Sequence, residues 1–287
     1  MAFQVDLSEW LIKSEALWRQ KSRELWLKLS DKNSKFFHLS TIIYRQSNNI
    51  DALKKEDSSW IQETSQIRAH FRDSFINQFK EEETCFPEHF KHLILPCITE
   101  EENESLQSIP SSEEIKAILF QMQDLKAPGP DCFPALFYKQ FWPMVGNDVV
   151  KVVTSFLILG SMPKKVNNSL IVLIPKISNP TIVNHFKLIR LCNVVYKIIL
   201  KLLVEKLRPL LDKIISPTQS AFILNKWIAE NQIIVQVMLH SFKTRRTKLG
   251  LMAIKLDLQK AYDRVTWRFL KVVFLHFGFN EILPVGS

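Results

Sequence analysis

The sequence predicts an α+β fold in which helices dominate. Three observations carry that expectation. Apolar residues recur at helical spacing through most of the chain, and only two short runs read as strands. Hydrophobic residues make up 46% of the 287, which excludes wholesale disorder. Glycine, at 6 residues, is too scarce for a collagen-like, linker-rich or glycine-repeat protein. The chain is long enough for one large domain or two modest ones with real cores.

In chain order, residues 1–80 read as helical. Trp10, Leu11, Leu17, Trp18, Leu25, Trp26 and Leu29 fall at helix-like spacing, and Asp31 and Asn33 break and recap the run. A second amphipathic stretch runs from Glu63 to Phe79, with Ile67, Phe71, Phe75 and Phe79 four apart as a core-facing stripe. Residues 80–110 carry Glu81–Glu83, Glu100–Glu102, Glu104 and three prolines, and read as a connector with a boundary near residue 105. Ser111, followed by Glu113 and Glu114, caps a helix reaching about Gln123.

Lys126 to Asp131 (Lys-Ala-Pro-Gly-Pro-Asp) marks a turn. Helices are expected at Pro134–Trp142 and Val149–Leu159. A β-branched strand follows at Asn168–Pro175. Asn193 is placed to cap a long helix with Val195, Ile198, Ile199, Leu202 and Leu203 on its apolar face, ending by Pro209. Residues 228–242 form another helix, and a loop leads into a strand at Met252–Leu258.

The formal charge of +9 is uneven. Residues 151–287 hold 21 Lys and Arg against 6 Asp and Glu, while residues 1–150 hold 17 against 23. Such an imbalance fits a polyanionic partner for the C-terminal part, and an ordinary basic surface accounts for it equally. The four cysteines form no C-x-x-C pair, which argues against a zinc ribbon or disulfide framework and for a reducing, intracellular setting. The start lacks a basic stretch followed by an apolar core, so no signal peptide is expected. Charges interrupt the most hydrophobic stretches, so neither a spanning helix nor a membrane partner is expected.

The candidate for chemistry is Asp257. Alternation puts Met252, Ile254, Leu256 and Leu258 on one strand face and Lys255 and Asp257 on the other. A carboxylate at a strand end suits a hard cation held by oxygen ligands. An Asp between strand and helix also serves as a helix cap, and position alone leaves both roles open.

Asp257-Leu258-Gln259-Lys260-Ala261-Tyr262-Asp263 is similar to the D-x-x-x-A-[FY]-D motif of reverse transcriptase palms. Five further blocks precede it in order. They are Gln20–Arg23 with Trp26–Lys28 and Asp31–His38; Lys126–Asp131 with Phe133-Pro134; Leu173–Lys176 with Asn179-Pro180; Leu191–Ile198; and Ile215–Phe222. Together they resemble the front half of the reverse transcriptase of plant-type LINE (non-LTR) retrotransposons, and they cover nearly the whole chain. The resemblance implies a helix-rich partial right-hand polymerase, with fingers and the start of the palm at 106–287. Residues 1–105 would then be a helical segment like the endonuclease-to-polymerase linker.

By that resemblance the partners are an RNA template and a DNA primer, and the cofactor is Mg²⁺ or Mn²⁺. Asp257 would ligate metal, joined by the Leu258 carbonyl. Lys260 and Ala261 would cradle the triphosphate, with Lys187 holding a phosphate where the family carries an arginine. Tyr262 would lie under the sugar as a steric gate, or simply pack as an aromatic. Lys176, Arg190, Lys226, Lys243, Arg245, Arg246 and Lys248 are the candidate nucleic-acid contacts, the last four of which a solvated loop also explains.

The family also needs a Tyr-x-Asp-Asp hairpin, and no Asp-Asp dipeptide occurs in these 287 residues. The expectation is therefore a clipped, inactive polymerase or a non-catalytic nucleic-acid-binding remnant. Cys132 stands where the family has glycine after Pro-Asp, so strain is expected if that position takes a positive φ.

Overall fold

The computed structural model describes residues 2–22, 34–80, 90–221, 223, 226–244, 251–258 and 261–280. Its order is α1 (Ala2–Ser22), α2 (Ser34–Ser47), β1 (Leu53–Lys54), β2 (Trp60–Ile61), α3 (Thr64–Phe79), α4 (Phe90–Leu93), α5 (Glu100–Gln107) and α6 (Ser112–Phe120). Then come α7 (Ala135–Gln140), α8 (Trp142–Leu159), α9 (Lys164–Asn167), β3 (Ser169–Pro175), β4 (Phe186–Cys192) and α10 (Val194–Leu207). The series closes with α11 (Leu211–Ile214), α12 (Ile228–Thr244), α13 (Ala261–Arg264) and α14 (Trp267–Phe277). The helix-rich α+β class expected from the sequence is the class found. The chain separates into two compact units.

One unit comprises residues 1–78, 123–140 and 168–194. Its core is Leu53, Ile61, Ile67, Phe71 and Phe186, with Phe75, Leu173 and Val183 packed against it. The aromatic stripe of α3 faces inward at Ile67 and Phe71, and Phe71 meets the Phe186 ring edge-on at 5.3 Å. Phe79, the last member, is exposed. Residues 1–80 are not all helix. A small hairpin, β1 against β2, interrupts them because Lys55–Ser59 is a polar turn, held by the Asp57 carboxylate accepting from the Ser59 amide at 2.9 Å. β3 and β4 pair antiparallel, Ser169 with Cys192 through Pro175 with Phe186. β3 follows from its β-branched run, whereas β4 (Phe-Lys-Leu-Ile-Arg-Leu-Cys) alternates too imperfectly to be read without its partner.

The other unit comprises residues 79–122, 141–167 and 195–287. α5 falls inside the stretch expected to be a connector, and residue 105 lies within it. Thr99 and Glu102 form a full capping box, so the glutamates read as linker charge are the acidic first turn of a helix. Ser111 and Glu114 build a second capping box at α6, as expected. Lys206 closes the far end of α5, its ammonium donating to the Leu106 carbonyl at 3.1 Å and the Ser108 hydroxyl at 2.9 Å. Burial pushes the Lys206 pKa down, opposed by Glu114.

α14 is fastened to the segment before α5. The Cys97 and Ile98 amides donate to the Phe277 carbonyl. The buried Asn103 amide group donates to the Gly278 carbonyl at 2.8 Å and its oxygen accepts from the Asn280 amide at 3.0 Å. Gly278 ends α14 at φ 95°, a left-handed position that favours glycine. α10 buries Val195, Ile198, Ile199 and Leu202, the face expected of it.

α8 is long and apolar enough to cross a membrane by length and composition, contrary to the expectation that no helix would be. It is amphipathic, however. Gly146, Val149, Val153 and Phe156 are buried on one face, α6 packs beside it, and Asp148 and Lys151 form an exposed ion pair. Those are the features of a helix on a protein core.

Candidate nucleic-acid and metal site

The candidate residues divide between the two units. In the first, the β3–β4 ribbon carries Lys176, Lys187 and Arg190. Lys176 follows β3; its amide donates to the His185 carbonyl at 2.8 Å and its ammonium to the Asn184 carbonyl at 3.1 Å, so part of its hydrogen-bonding capacity closes the turn. Lys187 is exposed opposite Ile174, and Arg190 lies opposite Ile171 with its Nε donating to the Ser169 hydroxyl at 2.7 Å. An odd spacing along a strand places two side chains on opposite faces. Lys187 and Arg190 are three apart, so they do not form one basic face.

The same unit contains a joint that sequence reading split into two separate blocks. Gly129 lies so close to the Cys192–Asn193 peptide that a Cβ there would stand 2.3 Å from the Asn193 Oδ1. That oxygen accepts from the Asp131 amide at 3.3 Å. Asn193, expected as a helix cap, thus ties the Pro-Gly-Pro-Asp turn to the start of α10. The Asp131 carboxylate accepts from the Phe133 amide at 3.1 Å and from the Tyr138 hydroxyl at 3.3 Å. Burial, then the neighbouring Asp131 charge, pushes the Tyr138 phenol up to about 12. Cys132 adopts φ 62°, the left-handed conformation anticipated for the position where the family has glycine. The clue to the joint was the glycine between two prolines; its contact sixty residues on has no local trace.

In the second unit, Lys226 donates to the Pro217 carbonyl at 3.2 Å, and Asn231 donates to the Thr218 carbonyl and the Ser220 hydroxyl. Lys226 therefore helps to hold the Ser216–Ser220 loop. Lys243 is exposed in the last turn of α12. Arg245, Arg246, Lys248 and Lys260 lie outside the described residues. Ala261 opens α13, and Tyr262 belongs to that helix.

The strand expected to carry Asp257 is not formed. Residues 251–258 have no regular secondary structure, and all eight are exposed. A strand exists only where a neighbour takes its backbone hydrogen bonds, and no described strand does so here. Asp257 and Leu258 consequently stand on an exposed segment that pairs with no strand among the described residues. Among the described residues no group of three His, Cys, Asp or Glu side chains is placed to hold a metal ion. This donor set does not fit a divalent pair.

Comparison with known proteins supplies what the geometry alone does not. Residues 174–285 match the reverse transcriptase (RNA-dependent DNA polymerase) family model. The reverse transcriptase match opens at the end of β3 and takes in every candidate residue from Lys176 to Tyr262. The chain is also 28% identical over 242 residues to the Transposon TX1 uncharacterized 149 kDa protein of Xenopus laevis. That similarity covers 84% of this chain and 18% of the Xenopus protein. At 242 residues it is longer than the reverse transcriptase match, so it extends into the region outside it.

Proposed function

We propose that this chain is a portion of the RNA-directed DNA polymerase of a non-LTR retrotransposon, of the plant LINE type, and that its 287 residues bind nucleic acid without extending a primer. The observation that carries the reading is the Asp257–Asp263 motif lying inside the segment that matches reverse transcriptases, downstream of Lys187 and Arg190, which are exposed on β4. The similarity to a transposon protein supports the retrotransposon assignment and disfavours an unrelated helical interaction protein.

Within this reading, residues 106–287 correspond to fingers and the first palm motif, and residues 1–105 to the helical segment before them. Lys187, Arg190 and Lys243 meet phosphates of an RNA template and DNA primer in an intracellular setting. Reverse transcriptases generally use divalent metal ions, and Asp257 with the Leu258 carbonyl would contribute to such a site. One exposed carboxylate does not position two metals, so no catalytic step is assigned to these residues. Exposed basic side chains together with an unassembled carboxylate site favour binding over chemistry.

Binding of a labelled RNA–DNA primer-template, followed across salt concentration, tests the binding half. Affinity should fall steeply with salt and be unchanged in Asp257→Ala. Replacing Lys187 and Arg190 together by alanine should weaken binding about tenfold and flatten the salt slope. Binding that ignores both salt and this double variant would remove the ribbon from the interface.

A further inference from the structure

The short helix α5 carries Glu100, Glu101, Glu102 and Glu104 in its 8 residues, and it meets two lysines of its own unit. Lys206, near the end of α10, gives its ammonium to the Leu106 carbonyl and the Ser108 hydroxyl, so it is committed to closing α5. Lys213, in α11, is held by a carboxylate instead. Its ammonium stands 2.5 Å from the Glu102 Oε1, and its side chain stays 46% exposed.

That carboxylate is fixed in place by the fold. The other oxygen of Glu102 accepts from the Thr99 amide at 3.0 Å, so the capping box aims the charge at Lys213. The pair is nonetheless weak, because an ion pair this exposed is hydrated and screened by salt. A phosphate offers Lys213 the same charge-assisted hydrogen bond as the carboxylate does. After Lys213 comes the exposed turn Ser216–Gln219, which Lys226, a candidate nucleic-acid contact, grips through the Pro217 carbonyl at 3.2 Å. Three residues of chain span no more than about 11 Å, so Lys213 and that turn are within reach of one polyanion.

We propose that α5 is an autoinhibitory strap, in which Glu102 occupies Lys213 until a nucleic-acid phosphate displaces it. Lys213 is then a phosphate contact held in reserve, and the strap sets a threshold that weak polyanions do not cross. The proposal rests on the nucleic-acid reading above and adds to it one residue and one barrier. Lys206 takes no part, since its hydrogen bonds close α5 whichever partner Lys213 has.

A double-mutant cycle on the full chain tests the strap, with a labelled RNA–DNA primer-template titrated at low salt. Glu102→Gln removes the charge and keeps the capping box, because a glutamine oxygen also accepts from the Thr99 amide. It should tighten binding about threefold, with a gain that shrinks as salt rises. Lys213→Gln alone should change affinity by less than about twofold, since the lysine is already occupied. Added to Glu102→Gln, it should abolish the gain. Glu101→Gln removes the same charge from an exposed neighbour in the same helical turn, and should tighten binding less than Glu102→Gln does. No gain in Glu102→Gln, an equal gain in Glu101→Gln, or a gain that survives Lys213→Gln would each overturn the strap while leaving nucleic-acid binding in place. Absence of binding in the parent chain and every variant would instead overturn the nucleic-acid reading, and the strap with it.

Discussion

At residue scale the Pro-Gly-Pro-Asp turn gives the sharpest expectations. Gly129→Ala places a methyl group 2.3 Å from the Asn193 side chain and 2.5 Å from the Cys192 carbonyl carbon, both fixed by β4 and α10. A clash against backbone is relieved only by moving the turn, so a loss of about 3 kcal/mol is expected in denaturant unfolding. Cys132→Gly should do the reverse. Its φ of 62° is costly for a side-chain-bearing residue, and relief offset by glycine's greater unfolded-state entropy should leave a gain of up to about 1 kcal/mol. Tyr138 adds a pH dependence. Its folded pKa is raised to about 12 against an ordinary 10, so the neutral phenol is favoured in the fold. That contribution is complete below pH 10 and lost as pH rises through about 12, because the unfolded phenol ionises first. Stability measured between pH 9 and 12 should fall in the parent chain and fall less in Tyr138→Phe.

At the scale of elements, legibility followed locality. α3, α6, α10 and the part of α8 from Val149 were readable because their apolar periodicity and the capping box of α6 lie within a few turns of chain, whereas the start of α8 at Trp142 was not. The β1–β2 hairpin was missed because two-residue strands have no periodicity to detect. β4 was missed because its pattern makes sense only beside β3. The glutamates of 100–102 were read by charge density, although Thr99 three residues before Glu102 carried the capping signature. Thr99→Ala should cost about 1 kcal/mol and loosen the contact of α5 with the end of α14. Glu102 strengthens the same point: hydrogen bonding to Lys213, then to the Thr99 amide, holds its carboxyl below the usual carboxylate range. The cap should therefore be intact above the ordinary carboxylate pKa and fail as pH falls through the lower folded value. Amide hydrogen exchange in residues 100–107 at descending pH reads that failure directly.

At the scale of the whole molecule, the resemblance to reverse transcriptases was far more legible than assembly. The reverse transcriptase blocks are short, ordered and local, and those from Leu191 to Asp263 lie within the match over residues 174–285. The state of Asp257 was not legible in the same way. Alternation from Met252 to Leu258 describes what a strand would bury, and it does so only when another strand supplies the hydrogen bonds. Here the segment is exposed along its length, and among the described residues the carboxylate belongs to no group of three that could hold a metal ion. Lys187 and Arg190, already exposed on β4, need no such completion, and on that difference rests the proposal that binding and catalysis separate in this chain.

The measurement that bears most directly on that separation is primer extension on an RNA template by the purified 287-residue chain, with Mg²⁺ and with Mn²⁺. The account predicts retention of the primer-template at low salt and no incorporation above background with either ion. Deoxynucleotide incorporation that disappears in Asp257→Ala would contradict it, because it would mean that these residues assemble a working metal site.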